Sequence, residues 1–301
     1  MELTMIGLGR MGGNMTGRLV KGGHRVIAYD LNASAVDRAV AGGAAKADSL
    51  EAAVKLLNPP RVVWIMLPSG KIIDETLNKV ATLVAPNDIV IDGGNSYYKD
   101  TLKRAATLNE KGIRYVDVGT SGGIWGDREG YCLMIGGDVA AIDVLRPIFE
   151  TLAPASDKGW ARVGPSGAGH FVKMIHNGIE YGLMQAYAEG FAILERRHDL
   201  VPDLPMIARL WGSGSVIRSW LLELTAAALA ENPSLEGIRP YVSDSGEGRW
   251  AVAEAIEQNV SAPVITQSLL ERLRSRDDDA FADKLLAMMR NKFGGHDVKK
   301  Q

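Results

Sequence analysis

Cysteine is almost absent. Cys132 is the one thiol among 301 residues, so no disulfide can form within the chain. Its segment, "GYCLMIGG", reads as a buried strand, which makes Cys132 an inert core residue by expectation. An excess of charge is missing too: Lys plus Arg number 34 and Asp plus Glu 36, a balance of −2. Nothing global therefore draws the chain to nucleic acid or an anionic membrane, and any anion site must be a local cluster of cations. No apolar run nears the ~20 residues of a membrane span. A strand is expected to start at once with "ELTMIG", so no signal peptide is expected. The five histidines are scattered, and no metal-ligand cluster is formed. Internal repeats and low-complexity segments are lacking. These absences point to a cytoplasmic protein without a nucleic acid, membrane or metal partner.

What is present is ordinary bulk and unusual pattern. Apolar residues make up 46% and charged residues 23%, as in soluble globular proteins, and the length suggests two domains. Through the first half, continuous apolar runs alternate with helical segments: "LTMIG", "HRVIAYD", "RVVWIML", "DIVIDGG", "IRYVDVG" and "YCLMIGG". Runs apolar at every position, not every second one, predict strands covered by helices on both faces, in a mainly parallel α/β sheet. After "WARVGPSGAGH" the strand signals stop. Helical patterns follow over 170–197, 203–211, 216–230, 249–259, 263–276 and 279–291. The expected organisation is a Rossmann-type α/β domain over 1–168 and an all-α domain over 169–301.

"MIGLGRMGGNM" holds Gly7, Gly9 and Gly12 as GxGxxG, after a strand and at the opening of a helix. In that context the first glycine allows the tight turn, the second lets a pyrophosphate approach the backbone, and the third lets helix and strand pack closely. Asp30 ends the next strand, in "IAYDLN". A carboxylate there accepts the ribose hydroxyls of NAD and repels the 2′-phosphate of NADP, so NAD is the expected cofactor and NADP the less suited one.

One helix carries a polar stripe. In "GHFVKMIHNGIEYGLMQ", Lys173, Asn177, Glu180, Tyr181 and Met184 share a face, flanked by His176. Lys173 and Glu180 are two turns apart, about 10 Å along the axis. That is too far for a salt bridge between neighbouring turns and suits two groups acting on one small molecule. A stripe of satisfied polar residues at a domain interface is the alternative. Elsewhere "VGTSGG" offers the Ser121 hydroxyl with Gly122 and Gly123, and "DGGNSYY" places Asn95 at a strand end, where open α/β sheets bind ligands.

Together these pieces resemble the 6-phosphogluconate dehydrogenase (decarboxylating) family, through "GLGRMGGNM", "IDGGNSYY", "VGTSGG", "GAGHFVKMIHNGIEYG", "GEGRW" and "RNKFGGH". The chain looks like the short bacterial type, which tends to use NAD, within the wider 3-hydroxyacid dehydrogenase superfamily. The resemblance implies Lys173 as catalytic base and Glu180 as catalytic acid, with Asn177 beside them. It implies cofactor contacts from Gly7, Gly9, Arg10, Met11, Gly12, Asp30, Leu67 and Asn95. Substrate contacts are implied for Asn95, Ser121, Gly122, Gly123, His176, Asn177, Tyr181, Arg249 and Arg272. Arg290 and His296 keep the spacing of a tail pair that completes a neighbouring subunit's site, so a homodimer or homotetramer is expected. Long members carry a lysine and a threonine where this chain has Ser245 and Glu247, which shifts phosphate binding to Arg272, Arg249 and the tail.

The implied chemistry suits these residue types. A 3-hydroxy acid loses its hydroxyl proton to a neutral lysine while hydride leaves C3. The keto acid loses CO2 readily, the charged lysine steadies the enediolate, and an acid protonates C1 of the product. The implied activity is conversion of 6-phosphogluconate to ribulose 5-phosphate and CO2 in the pentose phosphate pathway. Two alternatives stand beside it: a 3-hydroxyacid dehydrogenase for an unphosphorylated substrate, and an inactive NAD-binding regulator.

Overall fold

The computed structural model describes residues 1–295 and 297–299. The chain forms two compact units, Met1–Asn177 and Gly178–Gln301. The first is built from β1 (Glu2–Ile6), α1 (Arg10–Lys21), β2 (Arg25–Tyr29), α2 (Ala33–Ala41), β3 (Ala45–Lys46), α3 (Leu50–Lys55), β4 (Val62–Ile65) and α4 (Lys71–Val80). It continues with β5 (Ile89–Asp92), α5 (Tyr98–Asn109), β6 (Arg114–Ser121), α6 (Gly126–Glu129), β7 (Cys132–Gly137), α7 (Val139–Leu152) and β8 (Trp160–Gly164). The strands make one eight-stranded sheet in the order β3-β2-β1-β4-β5-β6-β7-β8.

Neighbouring strands feed their residues alternately to two cores. Val26, Ala28, Val62, Trp64, Ile89 and Ile91 belong to one cluster, and Ile27, Val63, Ile65 and Val90 to the other. Helices on both faces explain why these strands read as unbroken apolar runs. Each fully buried aliphatic side chain contributes roughly 1.5–3 kcal/mol. All strand pairs are parallel except β6–β7. Too few residues separate β6 from β7 for the crossover that a parallel pair requires. The apolar pattern carries no direction and could not show this reversal.

Cys132 departs from expectation. It is exposed, and burial in β7 begins only at Leu133. Cys132 pairs with Ser121 on the last rung of the β6–β7 ladder, at the end of the strand and not in its buried stretch.

Helix α8 (Ala168–Glu195) begins at the expected domain boundary and runs through the division at 177/178. The second unit adds α9 (Leu204–Trp211), α10 (Trp220–Glu231), α11 (Glu247–Glu257), α12 (Pro263–Arg274) and α13 (Phe281–Gly294). Asp203 and Ser219 cap α9 and α10 through the amides of Met206 and Leu222. Phe191, Leu204, Ala208, Leu222, Ala226 and Leu229 form the core there. No helix among the described residues is long and apolar enough to cross a membrane.

Candidate active site

The glycine loop between β1 and α1 is shaped by close approach. Gly7 has φ +90°, and a Cβ on it would lie 2.4 Å from Met66 O. A Cβ on Gly12 would lie 2.0 Å from Gly7 O, whereas one on Gly9 would meet nothing within 4 Å. The loop is therefore tight beneath and open above. No side chain caps α1 and no acid lies in its first turn, so its N-terminal amides suit a pyrophosphate. Arg10 is exposed, Met11 is half-buried and Leu67 is half-buried. A Cβ on Gly94 would come within 2.5 Å of Leu67 O, and one on Gly7 within 3.0 Å of Leu67 Cδ2. Leu67 thus lies between the glycine loop and the segment that carries Asn95. Asp30 accepts from the Leu8 amide at 2.6 Å and the Asn32 amide at 2.7 Å. It ties the end of β2 to the glycine loop.

At the end of β5, Asp92 is fully buried and organises the loop that follows. It accepts from the Gly94 amide, Ser96 Oγ at 2.8 Å, Tyr115 Oη at 3.0 Å and Arg104 Nη1 at 3.3 Å. Burial, then the charges of Asp92 and Asp117, push the Tyr115 phenol well above its usual range. Ser96 is held by Asp92, α5 is capped at Tyr97 without a side-chain bond, and Asn95 is left exposed. Asn95 is therefore not spent on a helix cap. Beyond β6, Gly122 and Gly123 have φ +132° and +53°, conformations glycine adopts without strain. Asn14 Nδ2 of α1 donates to Ile124 O at 3.3 Å, and Arg18 donates to Asp127 O at 3.2 Å. Helix α1 thereby holds the segment after Ser121, Gly122 and Gly123.

On α8, Lys173 is 7% exposed and Asn177 5%. His176 Nδ1 and Asn177 Oδ1 are 3.2 Å apart. A Cβ on Gly119 of β6 would lie 2.3 Å from Lys173 Cβ, so the lysine stem passes where only glycine leaves room. Glu180 is half-buried, two turns along the same helix.

In the second unit, Tyr181 has two close neighbours. The Arg272 guanidinium stacks 3.7 Å from its ring centroid, and a Cβ on Gly248 would come 3.1 Å from Tyr181 Cδ2. Burial raises the Tyr181 pKa, with Glu247 adding to the rise. Arg272 Nη1 donates to Ser243 O at 3.1 Å. Next along the chain, Asp244 accepts from Arg249 Nε at 2.5 Å and from Arg276 Nη1 at 3.3 Å. Burial opposes ionisation of Asp244, yet the Arg249 hydrogen bond and the Gly246 amide hold its pKa below the usual value. Three guanidinium groups thus meet around the dipeptide Ser243-Asp244. Glu247 is 4% exposed and accepts from Ser245 Oγ at 2.5 Å. Arg290 of α13 is exposed, and His296 lies outside the described residues.

Residues 2–161 match the NAD binding domain of 6-phosphogluconate dehydrogenase, and residues 169–300 match that enzyme's C-terminal domain. The chain belongs to the 6-phosphogluconate dehydrogenase family. YqeC of Bacillus subtilis is 44% identical to it over 302 residues, the whole of both chains. The NAD(+)-dependent, decarboxylating 6-phosphogluconate dehydrogenase of Haloferax volcanii is 45% identical over 303 residues, 100% of this chain and 99% of that one. The solved 6-phosphogluconate dehydrogenase of Plasmodium falciparum, studied in apo form, with NADP+ and with 6-phosphogluconate, is 28% identical with a TM-score of 0.84. That likeness covers 100% of this chain and 66% of the Plasmodium chain.

As a member of the 6-phosphogluconate dehydrogenase family, the chain has site features that its sequence did not announce. Arg276 was not among the expected residues, yet it shares Asp244 with Arg249. Its spacing of four from Arg272, in "RLRSR", was the available signal. Arg249 was expected to share in phosphate binding, and the structure shows its Nε paired with Asp244.

Proposed function

We propose that the protein oxidises and decarboxylates 6-phosphogluconate to ribulose 5-phosphate and CO2, with NAD as the hydride acceptor. The observation that carries this reading is the α8 stripe: buried Lys173, Glu180 two turns on, and Tyr181 stacked by Arg272. Lys173 Nζ takes the proton of the C3 hydroxyl. NAD, held at the glycine loop and Asp30, would supply the acceptor for the hydride that leaves C3. The protonated lysine then donates to the C3 oxygen as the C1–C2 bond breaks and the electron pair moves toward the ketone. Glu180 gives a proton to the carbon that has lost CO2. Asn95, Ser121, Gly122, Gly123, His176 and Asn177 hold the carboxylate and hydroxyls. Arg272, Arg249 and Arg276 hold the phosphate, and Arg272 offers its remaining N–H groups in charge-assisted bonds.

The domains divide near 168/169, and the protein works in the cytoplasm as a homodimer or homotetramer. Ile179, Leu183, Val264 and Leu286 are each about half exposed or more on helices of the second unit, an apolar surface of the kind that subunits cover. Arg290 and His296 complete the phosphate site of a neighbouring subunit. Purified protein, NAD and 6-phosphogluconate should give NADH by absorbance and CO2 in equal amounts. Deleting residues 290–301 should raise KM for the phosphorylated substrate and leave NAD affinity unchanged. Mixing that truncated chain with a Lys173→Met full-length chain should restore part of the activity. Faster turnover of an unphosphorylated 3-hydroxy acid, or a fully active monomer in sedimentation, would overturn the corresponding part.

Cofactor choice is tested at Asp30. Asp30→Ala should narrow the NAD over NADP preference in kcat/KM by about tenfold, the weight of a hydrogen bond to a charged group. Because Asp30 also accepts from the Leu8 amide, efficiency with NAD should fall at the same time. An unmodified protein that used both cofactors equally well would contradict this role.

A further inference from the structure

Asp117 lies in β6 and is fully buried. Its oxygens have separate partners: Oδ1 accepts from the Gly167 amide at 2.7 Å, and Oδ2 from the His170 amide at 2.9 Å. These N–H groups stand at the start of α8, where a helix leaves amides without internal partners. A carboxylate at that end is further favoured by the helix dipole.

Side chains two apart on a strand share a face, so Asp117, Gly119 and Ser121 form a row along β6. Helix α8 lies against this row. A Cβ on Gly119 would lie 2.3 Å from Lys173 Cβ and 2.7 Å from Gly169 O. Gly136, level with Asp117 on β7, would with a Cβ come 2.5 Å from Asp117 Oδ1 and 2.7 Å from Gly169 N. Gly169 itself has room for no Cβ, since one would meet Met134 O at 2.5 Å. Three glycines let helix and sheet close on each other, and Asp117 fixes where the N-terminus of the helix sits. A second tether acts from α5: His170 Nδ1 and Thr101 Oγ1 are 2.7 Å apart, and Phe171 meets Tyr98 edge-on at 5.1 Å.

We propose that Asp117 is a positioning residue for Lys173, locking the rotation and depth of α8 so that the lysine stem passes over Gly119 toward Ser121. The proposal rests on the reading of Lys173 as the base. The geometry requires two acceptors. Asparagine has the same shape, but its NH2 would face one of the two backbone donors, leaving a buried N–H unpaired.

The test compares wild type, Asp117→Asn and Thr101→Val, the last a milder change that keeps packing volume. With 6-phosphogluconate and NAD, Asp117→Asn should lower kcat about tenfold or more, since small misplacement of a reacting group is costly. KM values and the thermal protection given by NAD should stay within about twofold, because positioning acts on the chemical step. On a Lys173→Met background Asp117→Asn should add no loss, as expected of two residues acting through one group. A second arm needs no substrate: limited acetylation with acetic anhydride, read by peptide mass spectrometry. Lys173 should label several-fold faster in Asp117→Asn, with other lysines unchanged, and Thr101→Val should shift both readouts in the same direction by less. Unchanged kcat with unchanged labelling of Lys173, or losses that multiply on the Lys173→Met background, overturns the proposal. Should Asp117→Asn be insoluble, Thr101→Val decides by the same criteria. A wild type inactive on 6-phosphogluconate sinks the functional reading, and the labelling arm still decides the role of Asp117.

Discussion

Lys173→Met should lower turnover of 6-phosphogluconate by about 10²–10⁴-fold, the usual weight of a general acid–base group. The loss should fall on oxidation and on decarboxylation together, because in the proposed mechanism one side chain serves as base in the first and as hydrogen-bond donor in the second. Methionine fills the volume of the lysine stem that passes Gly119, so folding and NAD affinity should survive. Glu180→Gln makes the informative contrast. It should keep substrate binding and slow the protonation that follows loss of CO2. The measurement is kcat in both variants, with NAD binding as control. More than a few per cent of wild-type turnover in Lys173→Met would sink the assignment.

Arg272→Ala should raise KM for 6-phosphogluconate about 10–100-fold. A hydrogen bond to a charged group contributes roughly 1.5–3 kcal/mol, and each ~1.4 kcal/mol is a factor of ten. Lysine should not rescue it. The guanidinium lies 3.7 Å from the Tyr181 ring centroid while it donates to Ser243 O, and a lysine ammonium lacks the planar five-donor fork needed to keep both contacts and still bind phosphate. Gluconate, which lacks the phosphate, should be turned over no worse by Arg272→Ala than by wild type. An equal proportional loss with both substrates would mean that Arg272 supports the fold around Tyr181 and not the phosphate. It would also favour the reading in which the substrate is unphosphorylated.

The parts of the fold and site legible in the sequence were those written in short-range pattern. The glycine loop announced itself because its three residues lie within six positions of one another and next to a strand run. The α8 stripe was legible because helical spacing places Lys173, Asn177, Glu180 and Tyr181 on one face without reference to anything else. What was hidden depends on pairs far apart in the chain. Asp117 and His170 are separated by 53 residues and Asp244 and Arg276 by 32, and neither half of either pair looks unusual alone. Cys132 was misjudged because an apolar neighbourhood says nothing about where along a strand burial begins. The Asp92 network escaped for another reason. "IDGGNS" reads as a turn, and only the tertiary fold brings Arg104 and Tyr115 onto the same carboxylate.

Helix α8 is continuous from Ala168 to Glu195, and that continuity makes the proposed catalytic arrangement a matter of screw phase. Each residue turns the helix by about 100° and advances it by about 1.5 Å. One residue inserted between Lys173 and Glu180 would hardly lengthen the rod, yet it would swing the proposed proton donor to a different side from the proposed base. Three or four inserted residues would restore the angle and misplace the donor by about 5 Å, a full turn. Changes of side chain in this stretch alter one group at a time. Changes of length alter the angle between all of them, so residues 173–181 should tolerate a different letter far more readily than an extra one.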